Sequence, residues 1–185
     1  MNRRRIVDIA VFCGLIGLAV ATRMIMLKPN FHAVTAVALF AGFYFRHRAV
    51  AVLVPLTAMS ISDWFIGGYA REVMLTVYAA MALPVAWRTL LRNRLTAGRV
   101  GLTAVASCLI FFVATNAAVW YAGIWYSRGW DGLIACYTAA LPFLVNSLAG
   151  DLLFSAGIFG AYALALRWAK FASPLTAQQA ALVAN

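Results

Sequence analysis

Apolar residues run along this chain in six long blocks, and the polar positions inside those blocks are few enough to name. The blocks cover about Ile6 to Leu27, Ala33 to Phe45, Ala49 to Tyr69, Val73 to Trp87, Val100 to Trp125, and Pro142 to Leu166. Continuous apolar runs predict spanning helices, because a membrane barrel strand would alternate apolar and polar positions. The second and fourth blocks fall short of the ~20 residues a bilayer helix needs. Lys28 to His32 breaks the first block from the second, since proline pushes its predecessor out of helix. Arg88 to Arg99 reads as the one long hydrophilic connection, Ser127 to Gly132 as a loop, and Leu133 to Leu141 as an interfacial segment. Pro142 opens the sixth span, a favoured first helical position. Residues 1–170 form the six-helix transmembrane domain, and 171–185 form a polar tail, frayed or lying on the membrane.

Composition agrees: 65% apolar, 11% charged, mean hydropathy +0.88. Soluble domains carry roughly 25% charged residues. The net charge of +10 gathers at block ends, where orientation and anionic headgroups account for it without nucleic acid. Assigned to alternate sides, Arg3, Arg4, Arg5, Arg46, Arg48, Arg88, Arg92, Arg94, Arg99, Arg167 and Lys170 fall on one face of the membrane. Arg23, Lys28, Arg71 and Arg128 fall on the other, so the fifteen basic residues divide eleven to four. That asymmetry predicts both termini in the cytoplasm. Arg3 to Arg5 followed by an apolar run and Ala19-Val20-Ala21 resembles a cleavable signal, but Asp8 interrupts the run and the uncleaved reading is preferred. Cys13 and Cys108 read as small buried hydrophobes in mid-helix, with Cys136 near the outer surface beside Tyr137. No metal motif, P-loop or nucleophile elbow is present, so neither a cofactor nor an ATPase activity of its own is expected.

Asp63, Asn116, Asn146 and Asp151 carry the functional reading. Counted at ~1.5 Å per residue, they lie roughly 9, 14, 6 and 14 Å below the outer boundary. An intramembrane polar group costs several kcal/mol unless it faces a cavity or a partner. Convergence at one level suggests an outward-facing pocket, with Asn30, His32, Trp120, Trp125, Tyr126 and Tyr137 just outside it, although Trp125 and Tyr126 read first as aromatics of the interfacial belt. Asp63 can accept from a substrate cation, pair with Arg71, or lock a helix through backbone hydrogen bonds. Asn116 and Trp120 share a helix face, and an amide beside an indole suits a heterocycle. Asp151 has a plain structural alternative, a buried hydrogen bond to Asn116 or to a serine on another helix. His32 has one as an ordinary loop residue. Ala10, Gly14, Gly17 and Ala21 form small-xxx-small spacings that serve internal packing or a partner.

Pro29-Asn30-Phe31, Ala36 to Gly42, Ser62-Asp63, Thr115 to Trp120, and Gly132-Leu133 through Cys136-Tyr137 to Pro142-Phe143 resemble a family of uncharacterised bacterial membrane proteins. That family is similar in turn to the substrate-binding S components of energy-coupling-factor vitamin transporters. The resemblance implies a protein of the bacterial inner membrane that takes a vitamin-like solute from outside. It would use the loop after helix one and the outer parts of helices four to six. It also implies docking, through small residues of the first helix, on a transmembrane coupling subunit driven by two ATPases. The alanine-rich docking motif of S components is only partly reproduced at Ala10, Gly14, Gly17 and Ala21. Three readings follow: a solute-binding uptake protein, an accessory or assembly subunit of a larger membrane complex, and, least supported, an intramembrane enzyme using Asp63 and Asp151.

Overall fold

A computed structural model describes residues 2–25, 28–68 and 70–183, with side chains through Ala169. The described residues form helices and turns only. α1 (Arg3–Ile25) rises from the arginine-rich end of the bundle, α2 (Val34–Tyr44) returns, and α3 (Arg48–Ile66) rises again. α4 (Arg71–Ala82), a 3₁₀ turn (Leu83–Trp87) and α5 (Arg88–Asn93) descend as one rod. α6 (Ala97–Ala122) rises, and α7 (Trp130–Val183) descends. Five of these passes are long and apolar enough to cross a membrane; α2 is apolar but short. The chain is an all-α, multi-pass membrane protein by these features. Leu27 and Tyr69, the expected ends of two spans, lie outside the described residues.

The interfacial break expected before Pro142 is absent. α7 passes through Pro142 without interruption, and its apolar part alone, Trp130–Ala169, has 40 residues. At ~1.5 Å per residue that is roughly 60 Å, about twice a hydrocarbon core of ~30 Å. A mid-helix proline in a bundle is tolerated because neighbours and local adjustment satisfy the one carbonyl it frees. The helical backbone continues past residue 170 to Val183. The expected hydrophilic connection also contracts. Its first half is α5, and three residues, Arg94 to Thr96, reach α6, where Thr96 Oγ1 caps the Arg99 N–H at 3.3 Å.

α2 is the centre of the bundle. Every residue from Val34 to Gly42 is buried, and α1, α3, α7 and the 3₁₀ turn pack around it. Its eleven residues span only ~16 Å, so both its ends finish inside the protein. Gly42 permits the closest approach: a Cβ there would lie 3.0 Å from both the Cα and the carbonyl oxygen of Val85. Towards the arginine-rich end, Phe40 meets Phe159 edge-on at 5.2 Å and Phe43 meets Tyr162 at 5.4 Å, fixing α7 to α2.

The carboxyl end of α2 is closed by two arginines one helical turn apart. Arg92 donates to the carbonyls of Phe43 at 2.7 Å and Phe45 at 2.6 Å, and Arg88 donates to that of Arg46 at 2.8 Å. These are the carbonyls a helix end leaves without partners, and a cation there also complements the helix dipole. At the amino end the Ala33 N–H donates to Thr22 Oγ1 of α1 at 3.1 Å. α1 is the most peripheral pass, with only Leu15 and Ala19 buried. Near its start the Tyr44 hydroxyl donates to Asp8 at 3.0 Å.

Gly42→Ala is expected to lower stability by ~1–3 kcal/mol, since the added methyl meets backbone that cannot yield. Gly14→Ala, where nothing lies within 4 Å of the new Cβ, is expected to be neutral or stabilising by up to ~1 kcal/mol. Thermal unfolding of both variants in one detergent checks the contrast.

Candidate functional site

Two buried carboxylates flank the amino end of α2, and each has found partners inside the protein. Asp63, near the end of α3, lies 2.8 Å from Arg23 Nη2 of α1, with both side chains about nine-tenths shielded from solvent. Arg23 also donates to the Ser62 hydroxyl and approaches Met59 Sδ at 3.1 Å. The contact is ionic rather than a well-aligned hydrogen bond, because neither Asp63 oxygen has a donor in good geometry among the described residues. Tyr78 of α4 faces Ser60 and Asp63 from the other side. Arg71, the partner the sequence offered, is exposed on α4. Asp151 of α7 is 4% exposed. It faces Thr35 of α2 and Cys108 of α6 rather than Asn116 or a serine. It thus bridges three helices, the arrangement of a lock.

The turn after α1 fastens to one stripe of α7. Asn146 Nδ2 donates to the Pro29 carbonyl at 3.1 Å, Gly150 admits the backbone of Phe31 and His32, and Phe154 packs on Phe31 with ring centroids 5.5 Å apart. Residues 146, 150 and 154 recur every fourth position and so share a face. Asn30 makes the turn possible by adopting φ 60°, a conformation that asparagine tolerates better than most residues. His32 is half-buried beneath it, and its Nδ1 has no partner among the described residues. Burial and the Arg23 cation push this imidazole down to about 4, so it is neutral near pH 7.

α6 and α7 hold the remaining predicted residues. Asn116 Nδ2 donates back to the Phe112 carbonyl at 2.8 Å, leaving Oδ1 as its free acceptor among the described residues. Trp120 Nε1 donates to the Ser127 carbonyl at 3.0 Å and so secures the α6–α7 loop. The Tyr137 hydroxyl donates to the Val113 carbonyl at 2.7 Å, tying α7 to α6. Cys136 Sγ is buried 3.5 Å from the Asn116 carbonyl. Cys108 is buried as expected, but Cys13 is exposed, because α1 sits at the periphery and turns that face outward.

The predicted residues therefore gather in two places. Asn30, His32, Asp63, Asn146 and Asp151 surround the amino end of α2, knitted into contacts. Asn116 instead lines a cleft of about 630 Å³ with Val73 of α4, Trp125, Tyr126, Cys136 and Phe143. This lies at the end of the bundle opposite the arginine-rich one, and its size suits a small molecule. Trp120 and Tyr137 brace its walls without lining it. Ala10, Gly14, Gly17 and Ala21 are all exposed on α1, and neither glycine has an atom near a virtual Cβ, so this stripe does not pack internally. No group of His, Cys, Asp or Glu side chains able to hold a metal occurs among the described residues.

Arg23, Thr35, Arg88 and Arg92 were missed as structural residues by the sequence reading. For Arg23 the signal was present: an arginine inside the first apolar block demands a buried anion, and the chain has five acidic residues in all. Thr35, Arg88 and Arg92 had no such signal: Thr35 faces Asp151 only because α7 packs on α2, and the partners of the two arginines depend on where α2 ends.

Residues 4–177 match the model of a family of unknown function, DUF6580, and the chain belongs to that family. No curated protein and no solved structure matches it.

Asp63→Asn and Arg23→Gln, each breaking the buried pair from one side, are expected to destabilise by ~3–5 kcal/mol. The double variant is expected to recover a large part of that loss. A double-mutant cycle on unfolding temperature checks it; strictly additive losses would show the two groups to be uncoupled.

Proposed function

We propose that this member of DUF6580 is a membrane solute-binding protein that takes a small, largely apolar heterocycle into the cleft beside Asn116. The cleft is the observation that carries the reading: about 630 Å³, walled by Trp125, Tyr126 and Phe143, with the Asn116 amide as its polar point. Aromatic walls around one fixed acceptor give stacking area plus a single orienting hydrogen bond. Asp63 and Asp151 belong to the scaffold beneath it, not to the ligand. In a cell the arginine-rich end faces the cytoplasm, as the eleven-to-four distribution of basic residues argues. The cleft then opens to the outer side of a bacterial inner membrane. Uptake in the manner of an energy-coupling-factor S component, with ATPases supplied by partner subunits, is the mechanism this arrangement fits.

A second reading is favoured by one specific observation. The buried polar residues are mostly engaged with main-chain carbonyls inside the protein, while the small stripe on α1 is bare. An accessory subunit that docks a partner helix on Ala10, Gly14, Gly17 and Ala21 has the same features.

Mass spectrometry of small molecules released from gently purified protein identifies the solute. Asn116→Ala and Tyr126→Ala are then each expected to weaken binding by ~1–3 kcal/mol at unchanged stability, from a lost hydrogen bond or stacking surface. Ligand-induced thermal shifts measure this, and normal binding by both variants removes the cleft as the site.

Gly14→Leu with Gly17→Leu is expected to leave the protein folded and solute-binding but to abolish co-purification of any partner. Retained co-purification places docking elsewhere.

A further inference from the structure

The arginines of the basic end divide into two groups, and the division points to a ligand. Arg88, Arg92 and Arg99 are all occupied with main-chain carbonyls, Arg99 with that of Leu90 at 2.9 Å. Arg3, Arg4 and Arg46 have exposed side chains, and their guanidinium groups make no hydrogen bond or ion pair among the described residues. These three line a single cavity of about 1050 Å³ between the start of α1, the end of α2 and the start of α3. The only acidic residue lining that cavity is Asp8, whose carboxylate already accepts from Tyr44. Three arginines against one engaged carboxylate leave the arginine and aspartate side chains of the lining two positive charges in excess. The first turn of α3 adds unpaired N–H groups, because the His47 side chain makes no cap.

The deeper wall is different. Phe12, Phe43 and Tyr162 face the same cavity on the side towards the bundle core. A free inorganic anion would leave that aromatic wall and most of the volume unused. An amphiphile uses both, with its charged head at the arginine rim and its chain along the rings. We infer that this cavity is a seat for an anionic phospholipid, its headgroup phosphate held by Arg3, Arg4 and Arg46 and an acyl chain packed on Phe12, Phe43 and Tyr162. Guanidinium groups suit the phosphate because they present paired donors to its oxygens. The site is separate from the cleft beside Asn116, at the opposite end of the bundle, and does not depend on what that cleft binds.

The test uses the full chain in neutral detergent, with phosphatidylglycerol, phosphatidylcholine and inorganic phosphate as probes and native mass spectrometry as the readout. Phosphatidylglycerol is expected to bind preferentially, and R3Q/R4Q/R46Q together to weaken it by roughly tenfold or more, since each surface arginine adds a comparable attraction to an anionic lipid. R71Q/R128Q, at the other end, is expected to leave binding unchanged. Equal retention of phosphatidylcholine, an unaffected triple variant, or full displacement by an equal concentration of inorganic phosphate would overturn the proposal. A salt titration of the unaltered protein keeps the test decisive if the triple variant does not fold. Binding through exposed cations weakens steeply with added sodium chloride, and salt-independent retention counts against the site.

Discussion

A helix that is too short for the membrane must have its end groups satisfied by the protein, and that requirement organises this bundle. α2 lies at the centre with both ends inside. Lipid tails are as apolar as leucine, so burying its flank against other helices gains little from the hydrophobic effect that drives soluble folding. What the centre does demand is partners for the carbonyls that α2 leaves free near Phe43, Phe45 and Arg46. Arg88 and Arg92 answer that demand from α5. They hold the α4–α5 rod against the end of α2, while Gly42 lets the 3₁₀ turn press close beside it. The other end is met by Thr22 of α1 and by the turn that Asn146 and Gly150 of α7 clasp. Three passes thus take their positions from one short helix.

The candidate sites inherit that geometry. Asp63 and Asp151 meet α2 from two sides, and each is neutralised or surrounded within its own neighbourhood. The ion pair to Arg23 joins α1 to α3, and the Thr35 and Cys108 contacts join α7 to α2 and α6. Open volume is left where these locks are absent. One such place is the aromatic cleft beside Asn116; another is the cationic cavity at the arginine-rich end.

The helical passes were legible because apolar runs of membrane length leave few alternatives, and the short second block announced a helix that does not reach across. The loop after α1 was legible from Lys28-Pro29. The continuity of α7 was not: Pro142 is a good helix start in water, and only packing against other helices makes it a tolerable interior residue. Depth along a helix placed Asp63, Asn116, Asn146 and Asp151 at similar levels, yet depth carries no azimuth. Asn116 turns to the cleft, whereas Asp151 turns inward and Asn146 turns to the Pro29 carbonyl. Arginines were read as markers of sidedness, which hid Arg23 despite its place inside an apolar block, and hid Arg88 and Arg92, whose partners are set by where a distant helix stops.

The polar contacts near the two ends of α1 have a consequence for how that helix can move. Asp8 holds Tyr44 near its beginning and Arg23 holds Asp63 near its end, fifteen residues or ~22 Å apart along the axis. Between those points Leu15 and Ala19 are buried and Val11, Ile16 and Val20 pack on the core, apolar contacts that a slide by one turn could partly re-form. The polar contacts act as rivets and leave the helix a single register. A shift by one turn, ~5.4 Å, would pull both out together, so intermediate positions have nothing to rest on. The bare side of α1 is therefore presented at a fixed height, as a ruler clamped at both ends shows its scale.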